Sequence, residues 1–143
     1  MSERISQLPD DIGYLVQEAI KVRRNASASY SRFPVGAALE DSAGNIWTGC
    51  NVESSSYGLS MCAERVALYK AISEGVKSFV RIAVVAGGSS LATPCGACRQ
   101  VLNDYASNIE IILFNPDTKE LDRITQKDLL PFPFSEANLG RSK

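Results

Sequence analysis

Three cysteines and one glutamate are spaced so that they could share a single metal ion. Cys62-Ala63-Glu64-Arg65 is followed, 32 residues after Cys62, by Pro94-Cys95-Gly96-Ala97-Cys98-Arg99-Gln100. Cys95 and Cys98 are three apart and so share one face of a helix, where two sulfurs can reach one ion. With Cys62 as third ligand, three thiolates would hold Zn²⁺ and leave a fourth position for water. Glu64 would then move that water's protons, which is the layout of a hydrolytic zinc centre. Cys62 and Glu64 are only two apart, so a regular helix would aim them in different directions. Cys62 is therefore expected at a helix cap, before helical dihedrals begin. Three thiolates leave the centre with surplus negative charge, and Arg65 and Gln100, each beside a motif, are candidate hydrogen-bond donors to the sulfurs.

The chain has no histidine. Acid–base chemistry must come from Glu, Asp, Lys, Tyr, Cys or metal-bound water, and Ser-His-Asp and Cys-His nucleophile machinery are excluded. Two plainer readings compete. A thioredoxin-like C-x-x-C accounts for Cys95 and Cys98 but leaves Cys62-Ala63-Glu64 unexplained. A structural four-thiol zinc would need Cys50, with eleven residues between it and Cys62, an unusual spacing for a finger pair. Cys50 reads more simply as a small buried residue ending a strand.

Both motifs should sit where a loop or strand gives way to a helix, since unpaired N–H groups and the helix dipole favour thiolates there. The surrounding elements can be read in order. Leu8, Ile12, Leu15, Val16, Ala19 and Ile20 recur at helical spacing, and a helix is expected over about 8–26. Residues 35–39 and 46–51 read as a hairpin around the turn Ser42-Ala43-Gly44-Asn45. A Ser- and Gly-rich stretch, 52–61, leads into a largely apolar helix that begins at the first cysteine motif and stops at Gly75. Ile82 to Ala86 is a continuous apolar run, expected of a central strand covered on both faces. The second cysteine motif opens another helix, Ile109 to Phe114 is a strand, Asn115-Pro116-Asp117-Thr118 is a turn, and Thr125 to Asp128 looks like a capped helix start. Helix, hairpin, then alternating helix and strand describes a layered α/β domain with a mixed sheet. No internal repeat or linker interrupts it.

With 143 residues, one domain (1–143) is expected. Its 15 basic and 16 acidic side chains leave a net charge of −1, with no positive field to gather nucleic acid or anionic lipid. No apolar run approaches the roughly 20 residues of a membrane span. The start, with Ser2, Glu3, Arg4 and Ser6, lacks a secretory profile. Four cysteines then read as reduced thiols or metal ligands, and a cytoplasmic location is expected.

Cys-x-Glu followed by Pro-Cys-x-x-Cys is the signature of zinc nucleobase deaminases. From about Ala28 to Leu139 the sequence resembles the small homotetrameric cytidine deaminases, through Tyr30-Ser31-Arg32-Phe33-Pro34-Val35-Gly36-Ala37-Ala38, Thr48-Gly49-Cys50-Asn51-Val52-Glu53, the two cysteine motifs and Leu129-Leu130-Pro131. The resemblance implies a three-layer α/β/α fold with a central mixed β-sheet. It also implies hydrolytic deamination of cytidine and 2′-deoxycytidine to uridine and 2′-deoxyuridine with release of ammonia, a reaction of pyrimidine salvage. By resemblance, one zinc per subunit is held by Cys62, Cys95 and Cys98, and Glu64 shuttles protons. Asn51 and Glu53 would bind the ribose 3′-hydroxyl, Phe33 would pack on the pyrimidine, and the Ala63 N–H would meet the base carbonyl. Active sites would be shared across a homotetramer. Tyr57 would touch a neighbour's site, and a tail aromatic, Phe134 in preference to Phe132, would cover a neighbour's base. The tail, Phe132-Pro133-Phe134-Ser135, departs from the family's more usual Phe-Gly.

Overall fold

The computed structural model describes residues 2–140. Its six strands are β1 (Glu3–Arg4), β2 (Val35–Asp41), β3 (Ile46–Cys50), β4 (Phe79–Ala86), β5 (Glu110–Phe114) and β6 (Glu120–Thr125), and its four α-helices are α1 (Gly13–Arg23), α2 (Ala63–Ser73), α3 (Gly96–Tyr105) and α4 (Gln126–Leu129). The strands form one sheet in the order β1-β6-β5-β4-β2-β3. β4 and β5 run parallel and every other neighbouring pair is antiparallel, so the sheet is mixed.

Side-chain alternation sorts the core into two layers. Ala38, Ala83, Val85, Ile112, Phe114 and Leu121 pack with Ile12, Leu15, Val16 and Ala19 of the α1 region. Their neighbours Ala37, Leu39, Ile82, Val84, Ile111 and Leu113 pack with Ala63, Ala67, Leu68 and Ala71 of α2 and Leu102 of α3. β4 from Ile82 and β5 from Ile111 are apolar and buried because both of their faces are covered there. The result is the expected α/β/α sandwich. Each buried branched side chain contributes about 1.5–3 kcal/mol.

Two glycines set how closely the helices approach. A Cβ on Gly36 would fall 2.0 Å from the Ala19 carbonyl oxygen, and one on Gly49 would fall 2.5 Å from the Ala67 nitrogen. α1 and α2 therefore lie directly on the hairpin backbone, and the Gly49 contact fixes the start of α2, where the first cysteine motif sits.

The first helix is shorter than the expected 8–26. Pro9 begins a turn, its carbonyl accepting from Ile12 and Gly13, and past Arg23 the N–H groups of Asn25 and Ala26 bond three residues back. Between the Thr118 turn and the capped start at Thr125 the chain forms β6, which the sequence reading passed over, and β6 in turn pairs the short β1. The helix start itself is as expected, with Thr125 and Asp128 in a capping box.

Candidate active site

The N-termini of α2 and α3 meet at the C-terminal end of β4, the position where open α/β sheets bind ligands. Cys62 is the N-cap of α2 and Cys95 the N-cap of α3, both with extended dihedrals. The capping geometry removes the directional conflict between Cys62 and Glu64. The loop before Cys62 is closed by paired bonds between Val52 and Met61, each N–H to the other's carbonyl at 2.9 Å. That closure fixes where α2 begins.

The sulfurs of Cys62, Cys95 and Cys98 all lie within 4.8 Å of one another. Two sulfurs each about 2.3 Å from a tetrahedral zinc stand about 3.8 Å apart, and those of Cys62 and Cys95 are 3.7 Å apart. All four cysteines are free thiols, and Cys50 is not among the three that converge. The donor set fits zinc and leaves a coordination position for a small ligand.

Charge is arranged around this trio. Arg65 Nη2 donates to Cys62 Sγ at 3.5 Å. A hydrogen bond from Cys98, helped by Arg65 and Cys95, pulls the Cys62 thiol down to about 5, while Cys98, in donating that bond, holds its own proton well above the usual thiol range. One thiol is thus poised as thiolate at a helix N-terminus. Glu64 is 5% exposed, and burial pushes its carboxyl up to about 7, where it can take or release a proton near neutrality.

Beside the thiols lies a cleft of roughly 300 Å³ whose walls include Phe33, Asn51, Glu53, Cys62, Ala63, Glu64, Thr93 and Cys95. Ala63 is the first residue of α2, so its N–H has no acceptor within the helix. Asn51 is buried and ties the strand entry: Oδ1 accepts from Val35 N–H and Nδ2 donates to the Phe33 carbonyl, both at 2.9 Å. Glu53 Oε1 accepts from the N–H groups of Tyr30 at 3.1 Å and Ser31 at 2.9 Å, and Oε2 accepts from Ser31 Oγ. These bonds, that from the Ser31 hydroxyl foremost, hold the Glu53 carboxyl below the usual range. Ser31 also lines the cleft and was singled out only as part of a longer motif. Its position two residues before Phe33 was the available signal.

One expected contact is not made, and two residues expected at a neighbour's site lie outside this chain's cleft. Gln100 does not reach the sulfurs; its amide donates to Asp104 Oδ1 at 3.1 Å and to the Phe134 carbonyl at 2.9 Å. Two residues past Cys98 on a helix is the wrong face, whereas Arg65, three past Cys62, is on the right one. Tyr57 is exposed and packs edge-on against Tyr30, ring centroids 5.9 Å apart. Phe134 is 60% exposed and lines a larger, separate cleft between α3 and the C-terminal segment. Neither Tyr57 nor Phe134 enters the cleft of its own chain.

Three convergent thiols with a buried carboxylate beside them, raised on helix caps above a mixed α/β/α sheet, define a zinc-dependent hydrolytic enzyme of the deaminase fold. Comparison with known proteins is specific about which. Residues 9–113 match the family described as the cytidine and deoxycytidylate deaminase zinc-binding region, and the chain belongs to that family. It is 42% identical over 130 residues to a cytidine deaminase of Sporosarcina psychrophila, covering 91% of this chain and 96% of that one. A cytidine deaminase of Halalkalibacterium halodurans is 43% identical over 126 residues, covering 88% and 96%. The crystal structure of cytidine deaminase from Burkholderia pseudomallei superposes with a TM-score of 0.80 at 40% identity, covering 89% of this chain and all of that one.

Proposed function

We infer that this protein hydrolytically deaminates cytidine and 2′-deoxycytidine, giving uridine and 2′-deoxyuridine with release of ammonia. The observation that carries the reading is the burial of Glu64 in a cleft wall shared with two of the three convergent thiols. Zinc on Cys62, Cys95 and Cys98 would supply a Lewis acid that makes water nucleophilic at neutral pH. Glu64 takes one proton from the attacking water and delivers it to ring N3 so that C4 accepts the nucleophile, then takes the second from the new C4 hydroxyl and hands it to the departing amine as the C4–N bond breaks. Arg65 drains negative charge from the Cys62 sulfur.

The remaining assignments follow from the cleft. Phe33 offers an apolar face to a pyrimidine, the free N–H of Ala63 a donor to its carbonyl, and Asn51 with Glu53 a donor–acceptor pair to a sugar hydroxyl. No lysine or arginine is among the lining residues, which favours a neutral nucleoside over a nucleotide carrying a phosphate. No helix among the described residues is long and apolar enough to cross a membrane. A cytoplasmic location and a single domain over 1–143 remain part of the proposed reading. The exposed Tyr57 and Phe134 suit a homotetramer in which each cleft is completed by a neighbour.

The decisive experiment is Glu64→Gln. Zinc content should persist while kcat on cytidine falls by about 10²–10⁴-fold or more. A variant turning over at near the wild-type rate would remove Glu64 from the chemistry and this reading with it.

A further inference from the structure

From Gly87 to Pro94 the chain between β4 and α3 has no helix or strand. Yet this stretch supplies Ala92 and Thr93 to the cleft wall and leads directly into Cys95. Its far end is clasped by Arg99, whose guanidinium donates to the Thr93 hydroxyl at 2.8 Å and the Pro94 carbonyl at 2.7 Å. Its near end is held from the next strand.

Asn115 follows β5 immediately, and β5 runs parallel to β4, so their C-terminal ends lie side by side. The Asn115 side chain is wholly buried. Its Oδ1 accepts from the N–H groups of Asp117 at 2.9 Å and Thr118 at 3.2 Å, and its Nδ2 donates to the carbonyls of Gly88 at 3.1 Å and Ser90 at 2.9 Å. Asp117 adds an acceptor, its Oδ2 taking the Gly88 N–H at 2.8 Å. Gly87 permits this approach, since a Cβ there would fall 2.5 Å from the same oxygen. An amide presents two donors and an acceptor with two lone pairs, and here every one is used. Asp lacks the donors, and Ser lacks the second.

We propose that Asn115 is a positioning residue for the metal centre and the cleft wall: it bridges the 115–118 turn to Gly88 and Ser90, and so fixes the loop that aims Thr93 and Cys95. The proposal rests on the zinc reading of the three thiols but not on the identity of the substrate.

The test is Asn115→Asp in the zinc-loaded full chain. This change keeps the turn-closing acceptor and sets a carboxylate oxygen against two carbonyls. Zinc transfer to a chromogenic chelator is followed at a temperature where circular dichroism shows wild type and variant equally folded, alongside KM and kcat for cytidine. Zinc should leave about tenfold faster or more, the scale expected for buried hydrogen bonds lost, and KM should rise more than kcat falls. A folded variant with wild-type zinc release and KM overturns the proposal, whatever its melting temperature, because closing the turn would then be the residue's whole role. Should Asn115→Asp not fold, Asp117→Ala removes only the acceptor for Gly88. Zinc release faster by about threefold supports the proposal, and an unchanged rate overturns it. Wild-type enzyme inactive on cytidine would sink the functional reading while leaving the zinc-release contrast intact.

Discussion

The cleft is built by two different means. Its metal side stands on the N-caps of α2 and α3, where helix geometry and a dense core fix Cys62, Glu64, Cys95 and Cys98. Its other side, residues 31–35 with Asn51 and Glu53, is irregular chain and strand end tied by side chain-to-backbone bonds. On the proposed reading the metal side works as a unit, because removing one of the three thiols or Glu64 would remove the chemistry. The other side is a set of separable contacts, each worth about the 0.5–3 kcal/mol of an ordinary or charged hydrogen bond. One side should therefore fail abruptly and the other by degrees. Glu64→Gln marks the abrupt end of that scale.

The graded side is tested most directly at Glu53. Glu53→Gln keeps an oxygen for the Tyr30 and Ser31 N–H groups but turns an amide toward the Ser31 hydroxyl and Asn51. We expect kcat/KM on cytidine to fall about 10–100-fold, mostly through KM, the scale of a hydrogen bond to a charged group. A cytosine nucleoside lacking the 3′-hydroxyl should narrow the gap between variant and wild type. If the gap stays as wide, Glu53 serves to brace the loop and the two sides of the cleft differ less than their construction suggests.

A third surface enters only if chains associate. Phe132 and Phe134 project from the C-terminal segment, and neither reaches the cleft of its own chain. Phe134→Ala should raise KM about 2–10-fold, the range of one aromatic contact, with Phe132→Ala nearly silent. Light scattering should give a tetramer. An active monomer would show that the two sides described here already make a complete site.

The metal side was legible from sequence because its information is local: ligand type, spacing and helix start lie within a few residues of one another. The runs at 82–86 and 111–114 were legible for a related reason, being continuous and apolar. β6 was not, because Glu120, Asp122, Arg123 and Thr125 leave it only Leu121 and Ile124 as apolar residues, although its partner β5 lies just across the preceding turn. Gln100 shows adjacency misleading where helix phase decides, for it bonds Asp104 four residues on rather than a sulfur. Asn115 read as an ordinary turn residue, since its hold on Gly88 and Ser90 depends on β4 and β5 lying side by side.

The smallest expected effect sharpens the metal side most. Cys50 ends β3, pairs across the hairpin with Gly36, and is half-buried. Its thiol lies outside the group of three that converge. Cys50→Ala should therefore retain one zinc per chain and keep kcat/KM within about twofold, with at most a modest loss of stability from the missing sulfur. Zinc analysis and steady-state rates on the same preparation decide the matter. Zinc lost with Cys50 would mean four thiolates and a closed coordination shell, which leaves no place for a reacting water. Zinc retained with activity intact leaves three thiolates and an open position, the arrangement on which the part assigned to Glu64 depends.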